Sequence, residues 1–113
     1  MANDGRVKLM SDYGAGWPLW TAQEQLTAPD TFSLSASLTA DLRAWQDLFE
    51  REFRWDHGWR HAEAEARYAR AAPELLHRLR RELGPDVQVT LDTWPVSDLD
   101  LVAWLRQRHE LAP

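Results

Sequence analysis

Two stretches with strand-like alternation stand near opposite ends of the chain and enclose a long tract of helical periodicity, an order that leaves few folds open. In residues 6–13, Val7 and Leu9 alternate with Arg6 and Lys8; in residues 87–92, Val87, Val89 and Leu91 alternate with Gln88, Thr90 and Asp92. Each is the period-two pattern of a strand with one face toward a core. Between them Leu42, Trp45, Leu48, Phe49 and Phe53 recur at helical spacing. After an interruption at Asp56-His57-Gly58, so do Ala62, Ala66, Ala69, Ala72, Leu76, Leu79 and Leu83. A two-helix connection permits the strands to pair in parallel by a crossover, or to flank a third strand.

Local signals set the expected boundaries. Thr39 followed by Ala40 and Asp41 reads as an N-cap with acid in the first turn, opening the first helix. Pro73 falls inside the second run, where a kink or a break near residues 69–72 is expected. Gly84-Pro85 is a stop, and Arg78, Arg80 and Arg81 before it complement the helix dipole. Ser97 with Asp100 reads as a capping box that opens a last helix through Leu99, Val102 and Leu105. Residues 17–20, Trp-Pro-Leu-Trp, are an edge or loop that plugs the core, because proline donates no ladder hydrogen bond. A short extended piece is expected where Phe32, Leu34 and Ala36 alternate with serines. Two strands make a weak sheet, so a third is expected from residues 17–38, or by strand pairing across a homodimer. The expected fold class is α+β in the order β-α-α-β-α, a small sheet of two or three strands packed against two or three helices. It forms one domain over residues 1–113, with 1–5 flexible and 97–113 the C-terminal helix.

Composition narrows the function. The 113 residues contain no cysteine, which removes disulfides, thiolate metal sites and thiol nucleophiles. The N-terminus lacks the basic and apolar regions of a signal peptide, and no apolar run approaches the ~20 residues needed to cross a bilayer, so a cytoplasmic protein with no membrane partner is expected. Eighteen acidic against 13 basic residues give a charge of -5, which disfavours nucleic acid and favours a basic partner. The seven Trp are the anomaly: each buries about 200 Å² when packed, so most belong to the core, while any left exposed would be a binding anchor.

Catalytic signatures are missing. No Gly-x-Ser-x-Gly elbow and no phosphate-cradling loop occur, and Gly14-Ala15-Gly16 leads into Trp-Pro rather than a helix. His57 and His61, four apart, are weak candidates for a metal site, since Gly58 between them spoils a shared helical face. Glu50 with Glu52, and Glu63 with Glu65, are two apart and read as solvated positions rather than an acid and base pair. No cofactor is implied. Asp86, Asp92, Asp98 and Asp100 fall between Gly84 and Asp100 with no basic residue among them, a charge pattern of a solubility surface or of one facing a basic partner.

Lys8-Leu9-Met10-Ser11-Asp12-Tyr13-Gly14 followed by Trp17-Pro18-Leu19-Trp20 resembles the N-terminal signature of a group of small uncharacterised actinobacterial proteins. The resemblance runs on through residues 42–45 and 79–85 and carries no activity with it. The helix after Ser97 lies beyond it, and Pro73 departs from the uninterrupted helix it implies. Within the signature, Asp12, Tyr13, Trp17 and Trp20 form either a structural plug or a binding lip. As a lip, Tyr13, Trp17 or Trp20 would be anchors and Asp12 and Asp56 would supply charge, with Asp92 and Asp98 extending the acidic surface. The function expected is noncovalent protein binding, most concretely an immunity-type protein that blocks a basic surface of a toxin. The alternatives are a small metal-dependent or hydrolytic enzyme using the His57 and His61 region, or an accessory protein of a biosynthetic or regulatory pathway.

Overall fold

The computed structural model describes residues 5–111, with side chains described through Arg108. The expected flexibility of residues 1–5 and the end of the C-terminal helix at 112–113 therefore fall outside the described residues, Gly5 excepted. Its carbonyl accepts the Gln88 N–H at 2.6 Å, so the described chain starts tied to the sheet.

The two alternating stretches form β1 (Arg6–Leu9) and β5 (Gln88–Leu91), which pair in parallel with Val7 opposite Val89 and Leu9 opposite Leu91. A third strand, β2 (Leu19–Thr21), pairs antiparallel with β1, giving the order β2-β1-β5. The third strand comes from within the chain, so the sheet needs no second copy to complete it. Pro18 and β2 lie at the sheet edge, as a proline requires. The chain then folds back over that edge, where Thr27 N–H reaches the Leu19 carbonyl at 3.0 Å and Thr21 N–H the Gln25 carbonyl at 2.9 Å. An edge covered in this way does not template further pairing.

Helix α1 (Ala36–Glu52) begins earlier than expected, and no extended piece forms before it. Ser35, not Thr39, is the cap: its Oγ accepts the Leu38 N–H at 3.2 Å. Ser35 is chosen because Glu82, at the far end of the next helix, accepts both its N–H and its hydroxyl at 2.7 Å. Leu38, Leu42, Trp45 and Phe49 all point into the core. The helix passes straight into β3 (Phe53–Arg54), which pairs with β4 (Gly58–Trp59) as a small separate hairpin.

Helix α2 (Ala62–Leu83) carries Pro73 in its interior without dividing, so of the kink or break expected near residues 69–72 the break does not occur. An interior proline costs about 3 kcal/mol. Ala69 and Ala72 before it, and Leu75, Leu76 and Leu79 after it, are buried against the same core, and this shared burial holds the helix in one piece. Trp45 stacks on Tyr68 at 4.3 Å and donates its Nε1–H to the Tyr68 carbonyl at 2.9 Å, joining the two long helices. The arginines expected to serve the dipole reach further. Arg78 binds Asp41 at 2.7 Å and Ser37 at 3.0 Å, and Arg80 donates to the Val89 carbonyl at 3.0 Å.

Helix α3 (Leu99–Leu111) is capped by Asp98 rather than Ser97, with Asp98 Oδ1 accepting the Asp100 and Leu101 N–H groups at 2.9 and 3.2 Å. Ser97 is otherwise engaged. Its N–H and that of Asp98 both donate to Glu65, at 2.7 and 3.1 Å, so Glu65 is a buried pin rather than a solvated position. All three helices lie on the face of the sheet that carries Val7, Leu9, Leu19 and Val89. Among the described residues the architecture is α+β, three helices on a three-stranded mixed sheet with a two-stranded hairpin. No helix among the described residues is long and apolar enough to cross a membrane.

The Ser35–Glu82 contact makes stability depend on acid. Hydrogen bonds from the Ser35 backbone and side chain hold the Glu82 carboxyl below its ordinary range. A carboxyl lowered in the fold contributes stability that is present above its unfolded pKa and lost as pH falls through the folded value. Chemical denaturation between pH 7 and 3 should therefore show part of the acid loss disappearing in Glu82→Gln; an unchanged profile would mean that this contact carries none of it.

Candidate interaction surface

The end of α1 and the hairpin that follows it place aromatic rings in two layers. Phe49 is fully buried, and Phe53, one helical turn on, stacks against it at 5.2 Å. Trp59 closes on Phe53 edge to face at 5.3 Å because the hairpin register sets the two residues opposite each other. Its Nε1–H donates to the Pro95 carbonyl at 2.8 Å, which draws the segment after β5 alongside. That segment delivers Trp94, whose ring lies 5.6 Å from Phe49, 5.5 Å from Phe53 and 5.8 Å from Tyr13. Tyr13 completes the set, 5.3 Å from Phe49. Edge and tilted contacts of this kind add to simple area burial.

The outer layer faces solvent. Tyr13 is 48% exposed and Trp94 43%, while Trp55 at the hairpin turn is 81% exposed. The turn itself follows from Gly58, whose φ of 76° is one that residues with a Cβ rarely adopt. Tyr13 and Trp94 thus form one exposed aromatic patch, with Trp55 standing on the hairpin turn beside Asp56, and exposed rings of this size are the kind of feature found at interaction sites.

Carboxylates surround the rings. Tyr13 has its phenol pKa raised, first by desolvation and then by the negative charges of Asp12 and Asp56. Asp12 Oδ1 accepts the Tyr13 N–H at 2.8 Å, and Asp92 Oδ1 accepts the Trp94 N–H at 3.0 Å. Of the positions singled out in the sequence, then, Asp12, Tyr13, Asp56 and Asp92 come together here. The other three go elsewhere. Trp17 is 3% exposed and donates its Nε1–H to Thr27, so it is core and not an anchor; the turn that follows β2 encloses it. Trp20 sits opposite Lys8 on the sheet face away from the helices, with its Nε1–H on the Met10 carbonyl at 2.9 Å. Asp98 caps α3.

His57 lies in the hairpin turn, 3.4 Å from Asp56, while His61 precedes α2 and binds Glu52 at 2.9 Å. The His61 contact is the main reason the Glu52 carboxyl is held below its ordinary range. The two imidazoles thus serve different carboxylates, and among the described residues no group of three or more His, Asp or Glu side chains is placed to hold a metal ion.

Trp55, Trp94 and Phe53 were not singled out as surface residues from sequence. Trp55 carried one signal, its place beside the Asp56-His57-Gly58 interruption, which is the kind of turn that leaves a flanking side chain without a core. Trp94 had none beyond its position before Pro95.

Residues 5–93 match a family model described as Serratia CdiI immunity protein-like. No curated protein matches the chain. The matched stretch runs from β1 through β5 and includes Asp12, Tyr13, Trp55, Asp56 and Asp92; Trp94 and α3 follow it.

Proposed function

We propose, from the premise that this chain belongs to the Serratia CdiI immunity protein-like family, that it neutralises a toxin in the cytoplasm by covering a basic surface of it with the Tyr13, Trp55 and Trp94 face. Family membership supports an immunity-type protein-binding module over the enzyme and pathway-accessory alternatives. The observation that carries the choice of face is the exposed Tyr13 and Trp94 pair, 5.8 Å apart, flanked by Asp12 and Asp92, with the 81% exposed Trp55 on the hairpin turn next to Asp56, whose charge acts on Tyr13. Aromatic anchors supply the buried centre of such an interface, and the carboxylates steer a cationic partner and reject an anionic one.

The test is co-expression with the product of the neighbouring gene, first shown to be toxic when expressed alone. Rescue of growth and a complex that survives gel filtration support the reading; failure of both overturns it. Charge is tested separately by Asp12→Asn, Asp56→Asn and Asp92→Asn combined. Asparagine removes the charge while keeping one oxygen to accept the Tyr13 and Trp94 N–H groups. Association with the toxin domain at low ionic strength should slow about tenfold and lose much of its salt dependence. An unchanged association rate would leave these carboxylates as solubility residues.

A further inference from the structure

The loop that presents Tyr13 is gripped from behind by α1. Gln46 and Glu50 are four residues apart and share one face of that helix. Gln46 is 1% exposed, and its Nε2 donates to the Asp12 carbonyl at 2.7 Å and to Glu50 Oε2 at 2.9 Å. Glu50 in turn accepts the Gly14 N–H at 3.1 Å and the Gly16 N–H at 3.3 Å, one on each oxygen. The positive φ angles of Gly14 and Gly16, 65° and 69°, are what turn these two N–H groups toward a single carboxylate. Alternate backbone N–H groups aimed at one point form a small anion-binding concavity, and here the chain's own glutamate fills it. A Cβ at either glycine would meet nothing within 4 Å, so packing does not demand glycine; the backbone conformation does.

We infer that Glu50 is a positioning residue for toxin binding: with Gln46 it fixes the backbone of residues 12–16 and so sets the direction in which Tyr13 is offered to the partner. This rests on the Tyr13 face being the toxin-binding surface. The pair reaches three backbone groups of one exposed loop. Tyr13 lies between two of those groups, and charge-assisted contacts to backbone N–H are the strong kind. A loop held in its bound geometry avoids the ordering cost that a free loop incurs on association.

The experiment uses the full chain as Glu50→Ala and Glu50→Gln, each with and without Tyr13→Ala, and, as probe, the toxic neighbouring-gene product of the co-expression test. Amide exchange by NMR is read first, without the partner. Exchange at Gly14 and Gly16 should accelerate about tenfold or more in Glu50→Ala, whereas Glu50→Gln keeps an oxygen for only one of the two N–H groups, so one of the two amides should stay protected. Affinity should then fall about tenfold in Glu50→Ala, recover partly in Glu50→Gln, and be unaffected by either change once Tyr13 is alanine. Exchange that does not change overturns the inference and leaves the surface reading intact. Faster exchange with wild-type affinity overturns it too, by reducing Glu50 to a structural role. If Tyr13→Ala alone binds as wild type, the surface reading fails, and the positioning role fails with it. Should Glu50→Ala not fold, Glu50→Gln against Tyr13→Ala decides by the same cycle.

Discussion

Replacing Phe49 with alanine should cost about 3–5 kcal/mol of folding stability, a large share of what a domain of this size possesses. Phe49 is completely buried and its ring meets those of Tyr13, Phe53, Trp59, Tyr68 and Trp94. Truncation removes the transfer free energy of the ring and leaves a cavity that five rigid aromatic neighbours cannot collapse to fill. Urea denaturation of the two proteins measures the difference directly, and Phe49→Leu should fall in between, since it keeps much of the volume. A loss under about 1 kcal/mol would mean that the cluster repacks and that Phe49 is not its centre.

The second large effect concerns binding and should leave folding untouched. Trp55→Ala is expected to weaken the toxin complex by about 2–4 kcal/mol, or roughly 30- to 1000-fold. At 81% exposure Trp55 has almost no contact to lose in the free protein, so the melting temperature should stay where it is. Trp45→Ala gives the contrasting case, because that ring is 3% exposed and stacked on Tyr68, and its loss should appear in stability. Titration calorimetry against the toxin domain, beside thermal melts, separates the two. Wild-type affinity in Trp55→Ala would remove the hairpin from the interface.

The parts of this molecule that could be read in advance are those governed by neighbours in sequence. Val7, Leu9 and Val89 alternate with polar residues because each strand buries one face, and that pattern needs no knowledge of the partner strand. The edge position of β2 followed from Pro18, whose missing donor forbids a central place. What escaped depends on distant partners. Thr39 and Ser35 are both acceptable caps by local rules; the choice between them falls to Glu82, 47 residues away. Glu50 and Glu65 look solvated by their spacing, yet each receives two backbone N–H groups from a loop far along the chain. Trp17 and Trp55 are chemically the same residue, and only the assembled fold decides that one is enclosed by the turn after β2 while the other stands on a hairpin. The candidate surface was half legible for the same reason. Asp12, Tyr13, Asp56 and Asp92 drew notice as local features, whereas their convergence with Trp94 and Phe53 is a product of the long crossover between β1 and β5.

That convergence has a thermodynamic consequence. The aromatic face draws on Tyr13, Phe53 and Trp94, which meet over Phe49 of a docked α1, so an unfolded chain offers a toxin no equivalent of it. A ligand that binds only the folded state raises its stability by mass action, by about 4 kcal/mol when present at a thousand times its dissociation constant. A toxin that engages this face therefore acts as a folding ligand for its own inhibitor: copies held in the complex are shielded from unfolding and proteolysis, while surplus copies turn over at the rate that the bare domain's stability allows.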